Sequence, residues 1–337
     1  MRDWVIAALV MCCSVPALAE PPDALVTELR NSVVKVHVGT PGGGRGLGSG
    51  VVVSENYVAT NCHVLANAVG VSVSKLGQNF IPVALRADWK HDVCLLRFEE
   101  LPLKPVVLGD EQQLVYEQPV FSIGFPLGSP RPQVTYGKIE ALYPLDDSRI
   151  IRASSSFRLG ASGSAMMQDD GKLIGINTFK SPGRNSYFYS VPVKWIKQLL
   201  LSHDEATSLE QKDLPFWDAP EELRPFFMRV VPPLIAEQWT QLDDIARSWS
   251  EAEPGNAEAW YYQGLAQQHQ GRQAEASADY QKALALNPQH ADALLESGIL
   301  ASQRGDQDEV QRVGLILNGL DADTAEALRN AVLKPGN

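Results

Sequence analysis

The chain has 337 residues, 45% of them hydrophobic and 20% charged, which excludes a disordered chain and leaves room for two domains. Its net charge of −11 is unevenly spread: residues 1–203 carry 19 basic and 17 acidic side chains, residues 204–337 carry 10 and 23. A near-neutral first part beside a strongly acidic second part marks two units and argues against nucleic acid as a partner.

Residues 1–19 read as an export signal. Arg2 precedes an apolar run from Trp4 to Val15, Pro16 breaks it, and Ala17-Leu18-Ala19 supplies an A-x-A cleavage site. The run is too short for a membrane span, and no later stretch approaches 18 apolar residues. The expectation is an exported protein, periplasmic or secreted, with no membrane span in the mature chain. Cleavage removes Cys12 and Cys13 and leaves Cys62 and Cys94, which in an oxidising compartment are more often bridged than free.

Residues 20–203 read as all-β. Short β-branched runs such as Val33–Val38, Val51–Val53, Val93–Leu96, Val120–Ile123 and Leu173–Ile176 are separated by glycine, proline and asparagine. A helical pattern appears only at Pro192–Leu200. The glycine-rich run from Gly42 to Gly50 lacks the Gly-Lys-Ser/Thr of a phosphate cradle and is expected to be a mobile loop feeding a strand.

Three features of this part point to one chemistry. His63 follows the run Tyr57-Val58-Ala59-Thr60, Asp92 enters the apolar run Val93–Leu96, and Ser162 sits in Gly160-Ala161-Ser162-Gly163. Each alone is unremarkable: a histidine after a strand, an acid at a strand start, a serine in a turn. Together, in the order His, Asp, Ser, they match one of the chain orders in which a nucleophilic serine, its base and the base's orienting acid occur. His91, beside the acid, is expected to be an exposed loop residue, and Ser164 a poorer nucleophile than Ser162.

Gly48-Ser49-Gly50-Val51 with Thr60-Asn61-Cys62-His63-Val64, then Asp92-Val93-Cys94-Leu95-Leu96, Gly160–Ser164 and Gly175-Ile176-Asn177-Thr178 resemble the signature segments of HtrA/Deg-type trypsin-like serine proteases. The resemblance spans about residues 30–200. It implies two six-stranded β-barrels with the active site between them and no cofactor or metal. It further implies Ser162 as nucleophile, His63 as general base and acid, Asp92 as orienting acid, and the N–H groups of Gly160 and Ser162 as the oxyanion hole. Given that pairing, Cys62 and Cys94 flank a His–Asp contact and are expected to form a disulfide beside it. Ser154–Arg158 and Tyr187–Ser190 are expected to line the substrate pocket, where no acid obviously sits; small or medium apolar side chains are expected there. Ser164 and Ala165 stand where the family has a second glycine and a proline. If that glycine serves a positive φ, Ser164 strains the turn by about 1–2 kcal/mol.

Residues 204–253 read as a linker, marked by Pro215–Pro220, and a degenerate helical segment. After it a 34-residue self-match pairs Pro254 with Pro288, Gly264 with Gly298 and Gly271 with Gly305. Trp260 to Pro288 resembles the tetratricopeptide repeat, giving repeats at about 257–290 and 291–324 within residues 254–324, and a tail at 325–337. The fold class expected is therefore multidomain β + α, a trypsin-like double β-barrel followed by an all-α repeat domain. The function expected is an exported serine endopeptidase acting on protein or peptide substrates, with the repeats recruiting substrate or a protein partner. The alternative is an inactive protease-fold binding protein that works through the repeats.

Overall fold

The computed structural model describes residues 21–182 and 186–333. The expected export signal lies outside the described residues. A short helix, α1 (Asp23–Arg30), leads into a seven-stranded antiparallel sheet. Its strands are β1 (Val33–Gly39), β2 (Arg45–Ser54), β3 (Tyr57–Thr60), β4 (Gly70–Lys75), β5 (Gln78–Phe80), β6 (Ala84–Asp88) and β7 (Val93–Arg97), in the spatial order β5-β4-β1-β2-β3-β7-β6. A one-turn helix, α2 (Cys62–Leu65), follows β3. In β1 the alternation is direct: Val34, Val36 and Val38 are buried in one core while Lys35 and His37 are half-buried opposite.

The second unit is a closed six-stranded barrel. It consists of β8 (Pro119–Gly124), β9 (Gln133–Leu145), β10 (Ser148–Ala153), β11 (Ala165–Gln168), β12 (Leu173–Lys180) and β13 (Phe188–Pro192), in the order β10-β13-β12-β11-β8-β9. The first sheet does not close in the same way. Its edge strand β5 has only three residues, and the edge at Leu85 of β6 is taken by Ala206, with both N–H···O bonds at 2.8 Å. The backbone of the downstream segment thus satisfies the groups that barrel closure would have paired. The glycine-rich run is mostly strand rather than loop, since Gly46, Gly48 and Gly50 lie within β2.

The helix expected near residue 192 is α3 (Val193–Leu201). Two short helices, α4 (Phe226–Arg229) and α5 (Val231–Ile235), come next. Then come α6 (Trp239–Ala252), α7 (Ala257–His269), α8 (Gln273–Leu286), α9 (Ala291–Gln303), α10 (Gln307–Leu320) and α11 (Ala322–Leu333). The segment read as a linker with a degenerate helix therefore holds a full 14-residue helix, and most of the expected tail is helical. The two helices of the first repeat approach closely where Gly264 faces Tyr280; a Cβ there would lie 2.8 Å from the ring. None of these helices is long and apolar enough to cross a membrane.

The helical region is not a separate bead. One core runs from Val51 and Val93 in the first sheet through Phe121 and Tyr189 in the barrel to Phe227, Trp249 and Tyr262 in the helices. At this junction Arg152 of β10, only 3% exposed, donates to the Tyr143 hydroxyl at 2.7 Å and lies 3.5 Å from the Glu258 carboxylate of α7. The last three helices, α9 to α11, share a separate core built on Leu294, Val313, Leu317 and Leu328.

Candidate active site

His63 stands on α2, immediately after β3, and Asp92 in the turn between β6 and β7. The pairing of Thr60 with Cys94 across β3 and β7 brings these two turns to the same edge of the sheet. Asp92 is fully buried and has φ +60°, a left-handed conformation that aspartate tolerates better than most residues. Its carboxylate faces His63 with both oxygens: Oδ1 accepts the His63 backbone N–H at 2.8 Å, and Oδ2 pairs with Nδ1 at 2.6 Å. In the neutral imidazole that contact favours the tautomer with the proton on Nδ1, which leaves Nε2 free to accept. Asn61 braces the turn by donating to the Asp92 carbonyl and to the Thr178 hydroxyl, each at 2.9 Å.

Cys62 and Cys94 are joined, with S–S 2.03 Å and Cα–Cα 5.0 Å. The bridge lies one residue before His63 and two after Asp92, so it fastens the elements that carry the pair.

Ser162 lies in the turn between β10 and β11, half-buried, and its hydroxyl has no protein partner among the described residues. The turn is fixed by its carbonyls. Ser49 N–H donates to the Ser162 carbonyl at 2.8 Å, and Ser49 Oγ donates to the Gly160 carbonyl at 2.9 Å. Gly160 and Gly163 have φ of +87° and +82°, so both glycines meet a real backbone demand. Gly163 is also hemmed in: a Cβ would lie 2.2 Å from the Ser49 carbonyl oxygen and 2.6 Å from Thr60 Oγ1. This contact brings the Ser162 turn against the strand that leads to His63. The N–H groups of Ala161, Gly163 and Ser164 are engaged, donating to the carbonyls of Arg158, Asn177 of β12 and Ala161 respectively. The N–H groups of Gly160 and Ser162 donate to no protein acceptor among the described residues.

Ser164 is not strained. It is absent from the residues with positive φ; its side chain is buried, and its Oγ accepts a hydrogen bond from Asn177 Nδ2 at 2.8 Å. The strain expected from replacing a glycine does not arise because the left-handed positions are Gly160 and Gly163. Room for the extra side chain comes from Gly124 of β8, where a Cβ would lie 2.3 Å from Ser164 Cβ. Asn177 in turn accepts from the Ser190 hydroxyl at 2.7 Å. A pocket of about 190 Å³ opens beside this network, lined by Gly124, Ser156, Phe157, Arg158, Ala161 and Asn177 among others. The Ser154–Arg158 segment thus borders a pocket. Tyr187 does not line it; its ring lies 4.8 Å from the Arg152 guanidinium, turned toward the helical region.

His91 is not an exposed loop residue. Its Nδ1 meets Asp88 at 2.6 Å, its Nε2 meets Asp146 at 2.7 Å, and its ring stacks on Trp195 at 3.8 Å. Burial disfavours the cation, but the two carboxylates outweigh it and His91 lies above its ordinary pKa. Asp146 belongs to the β9–β10 turn, so this ion group clasps the first sheet to the barrel.

Two contributions were not legible in the motifs. Ser49 holds the Ser162 turn by two hydrogen bonds, a role its place in a glycine run does not announce. Trp217, in the stretch read as linker, donates its indole N–H to Asp92 Oδ2 at 3.0 Å.

Two stretches of the chain are similar to known protein families. Residues 48–176 match the trypsin-like peptidase domain family, and residues 257–290 match the tetratricopeptide repeat. A probable periplasmic serine endoprotease, DegP-like, of Rickettsia prowazekii is 31% identical over 193 residues, covering 52% of this chain and 37% of the relative. The periplasmic pH-dependent serine endoprotease DegQ of Escherichia coli is 32% identical over 151 residues, covering 42% of this chain and 33% of DegQ. The match thus spans about a third of the length of these curated relatives. The active form of the Rv3671c protease of M. tuberculosis superposes with TM-score 0.51 at 20% identity, covering 62% of this chain and 97% of that one, a likeness of fold alone. Residues 48–176 thus carry a trypsin-like peptidase domain similar to that of DegP-like serine endoproteases, and residues 257–290 a tetratricopeptide repeat.

Proposed function

We propose that this protein is an exported serine endopeptidase that cleaves protein or peptide substrates in the cleft between the first sheet and the barrel. The observation that carries the reading is the His63–Asp92 pair, bonded at 2.6 Å with the acid fully buried, in the same cleft as a serine turn whose N–H donors are unengaged. In this mechanism Ser162 Oγ attacks the scissile carbonyl carbon while His63 Nε2 takes its proton. Asp92 holds the imidazole tautomer and stabilises the imidazolium. The N–H groups of Gly160 and Ser162 receive the oxyanion; one such donor is worth about 2.7–4 kcal/mol in the transition state. His63 then protonates the leaving amine, the acyl group remains on Ser162, and water activated by His63 releases it. A preference for small or medium apolar side chains before the cut fits a pocket of about 190 Å³ bordered by Phe157.

The repeats are read as a protein-interaction module. Part of the first repeat is already committed: Glu258 and Tyr262 of α7 face Arg152 and Tyr143 of the barrel. A substrate or partner would therefore be recruited on the faces left free, on the second repeat above all. The periplasmic relatives support an extracytoplasmic setting, as does the bridged cysteine pair.

The test is hydrolysis of an unfolded protein substrate by the wild type and by Ser162→Ala. The expected result is a fall in kcat/KM of about 10⁴-fold or more. Equal and negligible turnover by both proteins would instead favour an inactive protease fold that acts as a binding protein.

A further inference from the structure

The buried Asp92 carboxylate accepts hydrogen bonds from three donors. Two belong to His63, its backbone N–H and its Nδ1. The third is Trp217 Nε1, 3.0 Å from Oδ2, supplied from 125 residues further along the chain and beyond the last strand of the barrel. The same indole stands edge-on to the His63 imidazole, with ring centroids 5.3 Å apart and planes at 89°. One side chain thus touches both the acid and the base.

We propose that Trp217 is a positioning residue of the catalytic pair, which makes the segment joining the barrel to the helical repeats part of the catalytic unit. The inference rests on the peptidase reading. A carboxylate held by one neighbour can rotate about its own bond and present either oxygen. With Oδ1 on the His63 backbone and Oδ2 shared by His63 Nδ1 and the indole, its plane is fixed, and so is the direction of the imidazole. The indole N–H also satisfies a lone pair that would otherwise be buried without a partner.

The indole is itself held from behind. Phe216 is buried, and its N–H donates to the Lys90 carbonyl at 2.9 Å, which ties the segment to the turn that carries Asp92. Trp217 stacks on Phe179 at 5.9 Å, Phe179 on Tyr189 at 4.6 Å, and Tyr189 lies 5.5 Å from Phe227, which stacks on Tyr143 at 4.3 Å. Tyr143 and Trp249 of α6 are 6.1 Å apart, and Trp249 stacks at the same distance on Tyr262 of the first repeat. A continuous file of rings therefore runs from the triad acid to α7.

Trp217→Phe keeps a ring in this file and removes only the donor. The expected result is a fall in kcat of roughly tenfold or more with KM unchanged within about twofold, because the lost hydrogen bond is to a charged group and not to substrate. The rate of labelling by a fluorophosphonate, which needs an activated serine but no peptide binding, should fall in parallel. A second measurement reads the contact directly: the Trp217 indole ¹H–¹⁵N resonance should move in Asp92→Asn. Labelling and kcat of Trp217→Phe at the wild-type level would overturn the positioning role alone, as would an indole resonance indifferent to Asp92→Asn. A wild type that is not labelled at all overturns the peptidase reading and this role with it.

Discussion

The two walls of the cleft are held in opposite ways. The wall that carries His63 and Asp92 is an open sheet whose last edge is finished by a distant segment, and it is secured by a covalent bridge and by Trp217. The wall that carries Ser162 is a closed barrel with no bridge, secured by close backbone approach at Gly124 and Gly163 and by a buried ion pair to the first repeat. Closure satisfies every edge of a sheet; an open sheet needs its edges and turns fixed by other means. His63 and Asp92 sit on the wall whose sheet does not close on itself.

If the walls depend on different supports, perturbing each support should give a different signature. The largest effect is expected at the junction of the barrel with the helices. Glu258→Ala removes the carboxylate beside the buried Arg152 guanidinium and should cost about 3–5 kcal/mol of stability, read by denaturant unfolding. A cost below about 1 kcal/mol would mean that the helices do not support the barrel through this pair. Next comes the first wall: reducing Cys62–Cys94, or replacing both cysteines with alanine, should cost about 2–4 kcal/mol. Activity should fall together with that stability, since the bridge brackets His63 and Asp92; full activity in the reduced protein would separate the bridge from the site.

Gly124→Ala tests the second wall on a smaller scale. Its Cβ would meet Ser164 Cβ at 2.3 Å, so the Ser162 turn or β8 must shift. The expected cost is about 1–3 kcal/mol, with a loss of kcat that Ser164→Gly in the same chain should partly restore. Failure of that rescue would mean that the strain is relieved elsewhere.

The smallest effect concerns the clasp between the walls. His91 faces Asp88 and Asp146, with Lys90 also on Asp146 at 2.6 Å, and its folded pKa is raised above the ordinary value of 6.5. A raised histidine pKa stabilises the fold fully below the unfolded value and loses that contribution as pH rises through the folded one. The Tm difference between wild type and His91→Gln should therefore be largest below about pH 6.5 and shrink above it. A difference independent of pH would place the value of His91 in its stacking on Trp195.

Much of this was legible in the sequence. The β-branched run Val33–Val38, the spacing of His63, Asp92 and Ser162, and the 34-residue period are local or repetitive signals, and each corresponds to an element or turn seen in the fold. What was not legible depends on partners brought together from afar. His91 reads as a solvated loop residue until Asp146, 55 positions away, folds against it. Ser164 reads as strained until the left-handed positions are seen to be Gly160 and Gly163. Trp217 reads as part of a proline-rich linker because nothing in its neighbours points to an acid 125 residues earlier. The open first sheet was hidden for the same reason, since Ala206 takes the edge from outside the strand pattern.

The central claim is that Ser162 is an activated nucleophile. Treatment with a fluorophosphonate followed by peptide mapping tests it most directly. The account predicts a single adduct on the peptide containing Ser162, absent in Ser162→Ala and strongly reduced in His63→Ala. No adduct on the folded, bridged protein, or an adduct on another serine such as Ser164, would contradict it.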